Sequence, residues 1–213
     1  GGSAINCDGV QDSIIRNNLI HSTHSSGISL YRDDGGAPSH RNQVLGNTVL
    51  VASDGRWALN VQNDSTATTV RNNIFWSEQG FRGAMDVCPG CLAGFTSNRN
   101  LVENRFTLDG GDSVLTLAQW RTATGQDLQS VVIATATALA ALFVDQAGGD
   151  YHLATGSAAL DAGEALSDLR FDLERSQRPQ GPGWDAGAFE GTGVIFVDGV
   201  DAGSAVRWTV PLP

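Results

Sequence analysis

Four copies of one short pattern constrain this chain more than any other feature. They are Ile15-Arg16-Asn17-Asn18-Leu19-Ile20, Val44-Leu45-Gly46-Asn47-Thr48-Val49, Val70-Arg71-Asn72-Asn73-Ile74-Phe75 and Leu101-Val102-Glu103-Asn104-Arg105-Phe106. Each places an apolar residue three before an Asn and another two after it. The Asn-to-Asn steps are 29, 26 and 31 residues (47−18, 73−47, 104−73). A motif recurring every 20–50 residues marks a repeat architecture. Asn tolerates left-handed backbone and bonds its own turn, which suits a tight corner between strands. The spacing therefore predicts Asn18, Asn47, Asn73 and Asn104 at equivalent corners, stacked about 4.8 Å apart as an amide ladder.

A second element follows each Asn: Gly27-Ile28-Ser29-Leu30, Ala58-Leu59-Asn60-Val61, Ala84-Met85-Asp86-Val87 and Val114-Leu115-Thr116-Leu117. Apolar residues alternate with small or polar ones, the period of a strand buried on one face. Ala4-Ile5-Asn6-Cys7 has the same shape one coil earlier. Coils of this size stack into an all-β solenoid with three parallel sheets. Cys7 falls in register with Leu30, Val61 and Val87 and is expected inside.

The repeat and its Asn corners resemble the right-handed parallel β-helix proteins of the pectate lyase-like superfamily, over roughly residues 4–117. The expected organisation is coils over 1–117, a helix and C-terminal cap over 118–193, and a tail over 194–213. Thr116 and Gln119 form a capping-box pair and Gly125 a helix stop. Residues 131–142 are a second helix candidate. The units Asp161-Ala162-Gly163 and Asp185-Ala186-Gly187, with the stretch from Trp120 to Ser130, resemble the closing segment of many secreted bacterial β-helix proteins. Both aspartates then read as structural turn residues. Ile195 to Ser204, ahead of Trp208, resembles the C-terminal tail of some exported proteins. Together these imply a secreted or cell-surface protein.

Composition narrows the partners. The net charge is −10, and all 13 basic residues are Arg. No basic stripe exists to neutralise phosphates, so nucleic acid is excluded as a partner. No run of 18 apolar residues occurs, so no membrane-spanning helix is expected. Cys88-Pro89-Gly90-Cys91 reads as a local disulfide, with free thiols and a zinc ligand pair as alternatives. The first strand begins at Ala4 with nothing to cover its edge. Upstream coils of a longer chain, or a second chain, are expected there.

On the fold that this chain resembles, ligands lie along one parallel sheet between its flanking loops. Here that sheet's outward row is Asn6, Ser29, Asn60, Asp86 and Thr116, with Tyr31 and Gln62 one position further. Arg32, Asp33 and Asp34 form one rim, Arg56 and Arg82 the other, and Tyr31 and Trp57 offer flat faces for sugar rings. Asp86 paired with Asp34 or Asp64 is the candidate acid pair for hydrolysis, which needs carboxyls about 5 to 9.5 Å apart. Arg56 or Arg82 is the candidate clamp for a uronate. No cofactor is required by the pattern. Calcium is the one that Asp33, Asp34, Asp64 and Asp86 would supply with oxygens. Two functions stay open: an enzyme, lyase or hydrolase, on an extracellular polysaccharide, or a non-catalytic scaffold or glycan-binding module.

Overall fold

The computed structural model describes residues 2–191. The tail expected over 194–213 and its sorting motif lie outside them. The first coil is β1 (Ile5–Asp8), β2 (Ile14–Arg16) and β3 (Leu19–Thr23). The second is β4 (Ile28–Tyr31), β5 (Gln43–Leu45) and β6 (Thr48–Val51). The third is β7 (Leu59–Val61), β8 (Thr69–Arg71) and β9 (Ile74–Ser77). The fourth is β10 (Met85–Val87), β11 (Thr96–Asn98) and β12 (Leu101–Glu103). A fifth turn begins with β13 (Phe106–Thr107), passes through helix α1 (Leu117–Thr124) and closes with β14 (Val131–Ile133).

Equivalent strands pair in parallel. The first sheet runs β1-β4-β7-β10-β13, the second β2-β5-β8-β11 and the third β3-β6-β9-β12-β14. The protein is a three-sheet parallel β-helix of about five turns. Register stacks like on like: Cys7 beside Leu30 beside Val61 beside Val87, all buried. Each fully buried Leu, Ile or Phe in such a column stabilises the fold by about 2 kcal/mol.

The corner between the second and third sheets carries the amide ladder. Asn18 Nδ2 donates to Asn47 Oδ1 at 2.8 Å, Asn47 to Asn73 at 3.0 Å, and Asn73 to Asn100 at 3.0 Å. The fourth rung is Asn100, not Asn104. Asn104 instead accepts the Leu117 amide at 2.7 Å, ahead of α1. The pattern misleads at this coil because the inward residue three before Asn100 is Ser97, a polar group buried against Asp127. The left-handed position is also one residue earlier than expected. Asn17, Gly46, Asn72 and Arg99 take φ of 53°, 57°, 57° and 57°, and the ladder Asn follows each.

The fifth strand of the first sheet is likewise earlier than expected. Phe106 and Thr107, not Val114 to Leu117, continue the column beside Met85 and Asp86. Leu115 folds back against Phe106 in an antiparallel bridge, and Leu117 opens α1. The capping box and the Gly125 stop are both present. Trp120, fully buried on α1, stacks on Phe106 at 5.2 Å and closes the end of the solenoid core. Only Ala136–Ala140 of the second helix candidate is helical, as α2. Residues 131–133 are recruited as β14 because β12 offers a free edge and Val and Ile suit a strand.

The remaining chain lies on the outer face of the third sheet. Leu50, Ile74, Trp76 and Leu101 meet Leu142, Phe143, Tyr151 and Phe189 in a second core. An antiparallel pair, β15 (Phe143–Asp145) and β16 (Asp150–Leu153), belongs to it. Asp185 accepts the Asp161 and Gly191 amides, and Asp161 accepts the Gly183 amide, so both aspartates brace turns. Cys88 and Cys91 form a disulfide across a single 3-10 turn.

Candidate functional site

Parallel register aligns the outward residues of the first sheet as Asn6, Ser29, Asn60, Asp86 and Thr107. Thr107 takes the place expected for Thr116, which caps α1 instead. Over the first three coils this row floors a cleft of about 360 Å³, whose lining includes Asn6, Ser29, Tyr31, Arg56, Asn60 and Gln62. Short polar side chains on flat, evenly spaced strands leave the cleft shallow and rich in hydrogen-bonding groups. Asn6 donates to the Tyr31 hydroxyl at 2.8 Å, and Gln62 donates to Asn60 Oδ1 at 3.1 Å. Ser3 and Ser29 share a hydroxyl contact of 2.5 Å. Ser29, Tyr31, Asn60, Gln62 and Arg56 are thus brought together as expected.

Five expected residues are placed otherwise. Arg32, Asp33 and Asp34 are exposed on a loop outside the lining. Its backbone wraps a carboxylate: the amides of Asp33, Asp34 and Gly35 donate to Asp8 at 2.8, 2.9 and 3.1 Å. Those bonds, the Asp33 amide foremost, hold the Asp8 carboxyl below the usual range. Trp57 is 3% exposed and offers no face to a sugar.

Arg82 also leaves the cleft. Its guanidinium lies 5.9 Å from the centre of the Trp57 ring and donates to the Gly110 carbonyl at 2.7 Å. Arg56 alone remains to present a charge. The two arginines stand at equivalent places in sequence, but only the later coil has a loop, residues 109–113, that folds over its arginine.

Asp86 lies one coil beyond Asn60 and is 4% exposed, and its Oδ1 has no hydrogen-bond partner among the described residues. Burial pushes its carboxyl up to about 6, against the opposing pull of Gln62, the Gly110 amide and Arg82, while Asp109 adds to the rise. Asp109 goes the other way. The Ser113 hydroxyl and amide and the Thr107 hydroxyl hold it well below the ordinary carboxylate range. Asp109 is the acid that sequence reasoning missed. Its signal was the turn-forming run Asp109-Gly110-Gly111-Asp112, which reads as a loop and not as a site.

The expected pairing of Asp86 with Asp34 does not assemble. Asp34 hangs on Asp8 of β1, whereas Asp86 is on β10, three strand spacings or about 14 Å along the sheet. Hydrolysis needs a closer pair. Asp64 is exposed on the loop after β7, beside Gly90. Among the described residues no group of three or more His, Cys, Asp or Glu is placed to hold a metal ion. Asp33, Asp34, Asp64 and Asp86, the acids expected to bind calcium, therefore form no such group. No helix among the described residues is long and apolar enough to cross a membrane.

The fold and cleft define a class, a parallel β-helix with a polar trough along one sheet. No protein-family model, curated protein or solved structure matches the chain.

Proposed function

We propose that this protein binds neutral glycan chains along the first sheet, as an exported β-helix of the pectate lyase-like kind. One observation carries the reading: the cleft gathers Asn6, Ser29, Tyr31, Asn60 and Gln62 with a single arginine, Arg56. Amides and hydroxyls both donate and accept, which suits the hydroxyls of a sugar. A net charge of −10 opposes polyanions and leaves neutral glycans favoured. Tyr31, half-buried at the floor, supplies the apolar face that Trp57 does not. The Cys88–Cys91 disulfide supports export, because such bonds persist in oxidising compartments.

A hydrolase is the second reading. Asp86 and Asp109 titrate in opposite directions, the pattern of an acid beside an ionised partner. Binding is preferred because Asp86 is 4% exposed and so has little surface to offer a substrate. The test is a neutral glycan panel against native protein and the Arg56→Ala, Asn60→Ala double variant. Loss of binding with an unchanged melting temperature supports the trough. Unaltered binding in the double variant removes it.

A further inference from the structure

A second cavity lies away from this trough, in the cap. It measures about 530 Å³, and its lining includes Leu166, Arg170, Phe171, Gln177, Arg178 and Trp184. Ala165, Leu166, Phe171 and Trp184 form its apolar walls, Ser167, Arg170, Gln177 and Arg178 its polar ones, and no carboxylate is among the lining residues. A concavity of this size, with flat apolar faces beside convergent polar groups, has the dimensions of a small-molecule site.

The local fold sets its polar groups apart from each other. Arg178 is the fixed one. Its side chain is fully buried, with Nη1 on Glu190 at 2.8 Å and on the Asp185 carbonyl at 3.0 Å, and Nη2 on the Gly187 carbonyl at 2.7 Å. Its Nε is buried and has no hydrogen-bond partner among the described residues. Arg170 is the free one. It is exposed, and no ion pair engages it among the described residues. Asp172 and Glu190 are already committed: Asp172 accepts the Glu174, Ser176 and Glu190 amides, and Glu190 answers Arg178. Phe171 is 52% exposed, a large aromatic group left facing solvent.

From this arrangement we infer that the cap cavity binds a small aromatic carboxylate. The ring packs between Trp184 and Phe171, where flat faces stack favourably. The carboxylate pairs with the Arg170 guanidinium, whose fork matches two carboxylate oxygens. The inference stands apart from the glycan reading and shares no residue with it.

The test titrates native protein with 4-hydroxybenzoate, with 4-hydroxybenzyl alcohol and acetate as probes of ring and charge alone. Binding of 4-hydroxybenzoate at least fivefold tighter than either control is expected. Arg170→Ala and Trp184→Ala should each weaken it by about tenfold, a loss of about 1.4 kcal/mol. Arg56→Ala should leave it unchanged, which separates this site from the trough. Both cap variants should keep the native melting temperature, since Arg170 is exposed and Trp184 only half-buried. Failure of 4-hydroxybenzoate to bind, equal binding of the neutral alcohol, or full affinity in Arg170→Ala would each overturn the proposal.

Discussion

Asn100 delivers the end of the amide ladder to Asp127, with Nδ2 3.1 Å from Oδ1. Asn47, Asn73 and Asn100 each accept on Oδ1 from the ladder Asn of the coil before, through both its backbone N–H and its side-chain Nδ2. The ladder therefore has a direction, and it needs an acceptor-only group at its far end. Asp127 is that group. It is fully buried and also accepts from Ser97, Ser130 and the Trp120 indole at 2.9, 2.6 and 2.9 Å. One carboxylate thus joins the corner ladder to the helix that closes the core.

Asp127→Ala should be among the most destabilising single changes. It leaves buried donors unpaired, each costing about 1–3 kcal/mol. Urea unfolding is expected to show a loss of at least ~2 kcal/mol, with Asn73→Ala close behind. A loss no larger than that of an exposed control such as Gln129→Ala would contradict the role.

Gly46→Ala should loosen the cap. Gly46 has φ of 57°, and an added Cβ would lie 2.7 Å from Leu169 Cδ2. Left-handed backbone costs a non-glycine residue roughly 1–2 kcal/mol, and the clash adds to it. Limited proteolysis should cut the cap of this variant faster than that of native protein.

Stability should fall as pH rises from 4 to 8. Burial raises Asp86 to about 6 and Glu103 to about 7 in the folded chain. A group raised on folding stabilises below its unfolded value and loses that contribution as pH passes its folded value. Asp86→Asn and Glu103→Gln should therefore raise the urea midpoint at pH 8 relative to native protein, with little gain at pH 4. Equal gains at both values would contradict this account.

His152 adds to the same trend from the cap. Its Nδ1 meets Asp150 at 2.6 Å and its Nε2 meets Glu174 at 3.1 Å. The Asp150 bond first, then Glu174, raises the imidazole above its ordinary value. The tie is complete below the unfolded histidine value of about 6.5 and is lost as pH rises through the folded one. Replacing His152 with Gln should flatten that part of the melting curve against pH. The effect should be small, because the pair is about half exposed.

The solenoid was legible because a fixed spacing of Asn and apolar residues leaves few alternatives. Asn18, Asn47 and Asn73 follow that rule. Asn100 escaped it because Ser97 replaces an apolar residue, and its buried hydroxyl answers to Asp127, thirty residues further on. The trough was legible wherever it depends on strand alternation, as at Ser29, Asn60 and Gln62. It was not legible where loops decide. Trp57 looked like an exposed sugar platform, yet Arg82 and the 109–113 loop cover it. Asp34 looked like a catalytic partner, yet its own backbone is spent on Asp8. Long-range loop contacts leave no local period to read.

The central claim is that glycan lies along the first sheet. Side-chain amide resonances of Asn6, Asn60 and Gln62 read that trough directly in a titration with neutral oligosaccharides. The account predicts that these three shift together and saturate together, while the buried ladder amides of Asn47 and Asn73 stay still. Binding that leaves all three trough amides unmoved would contradict it.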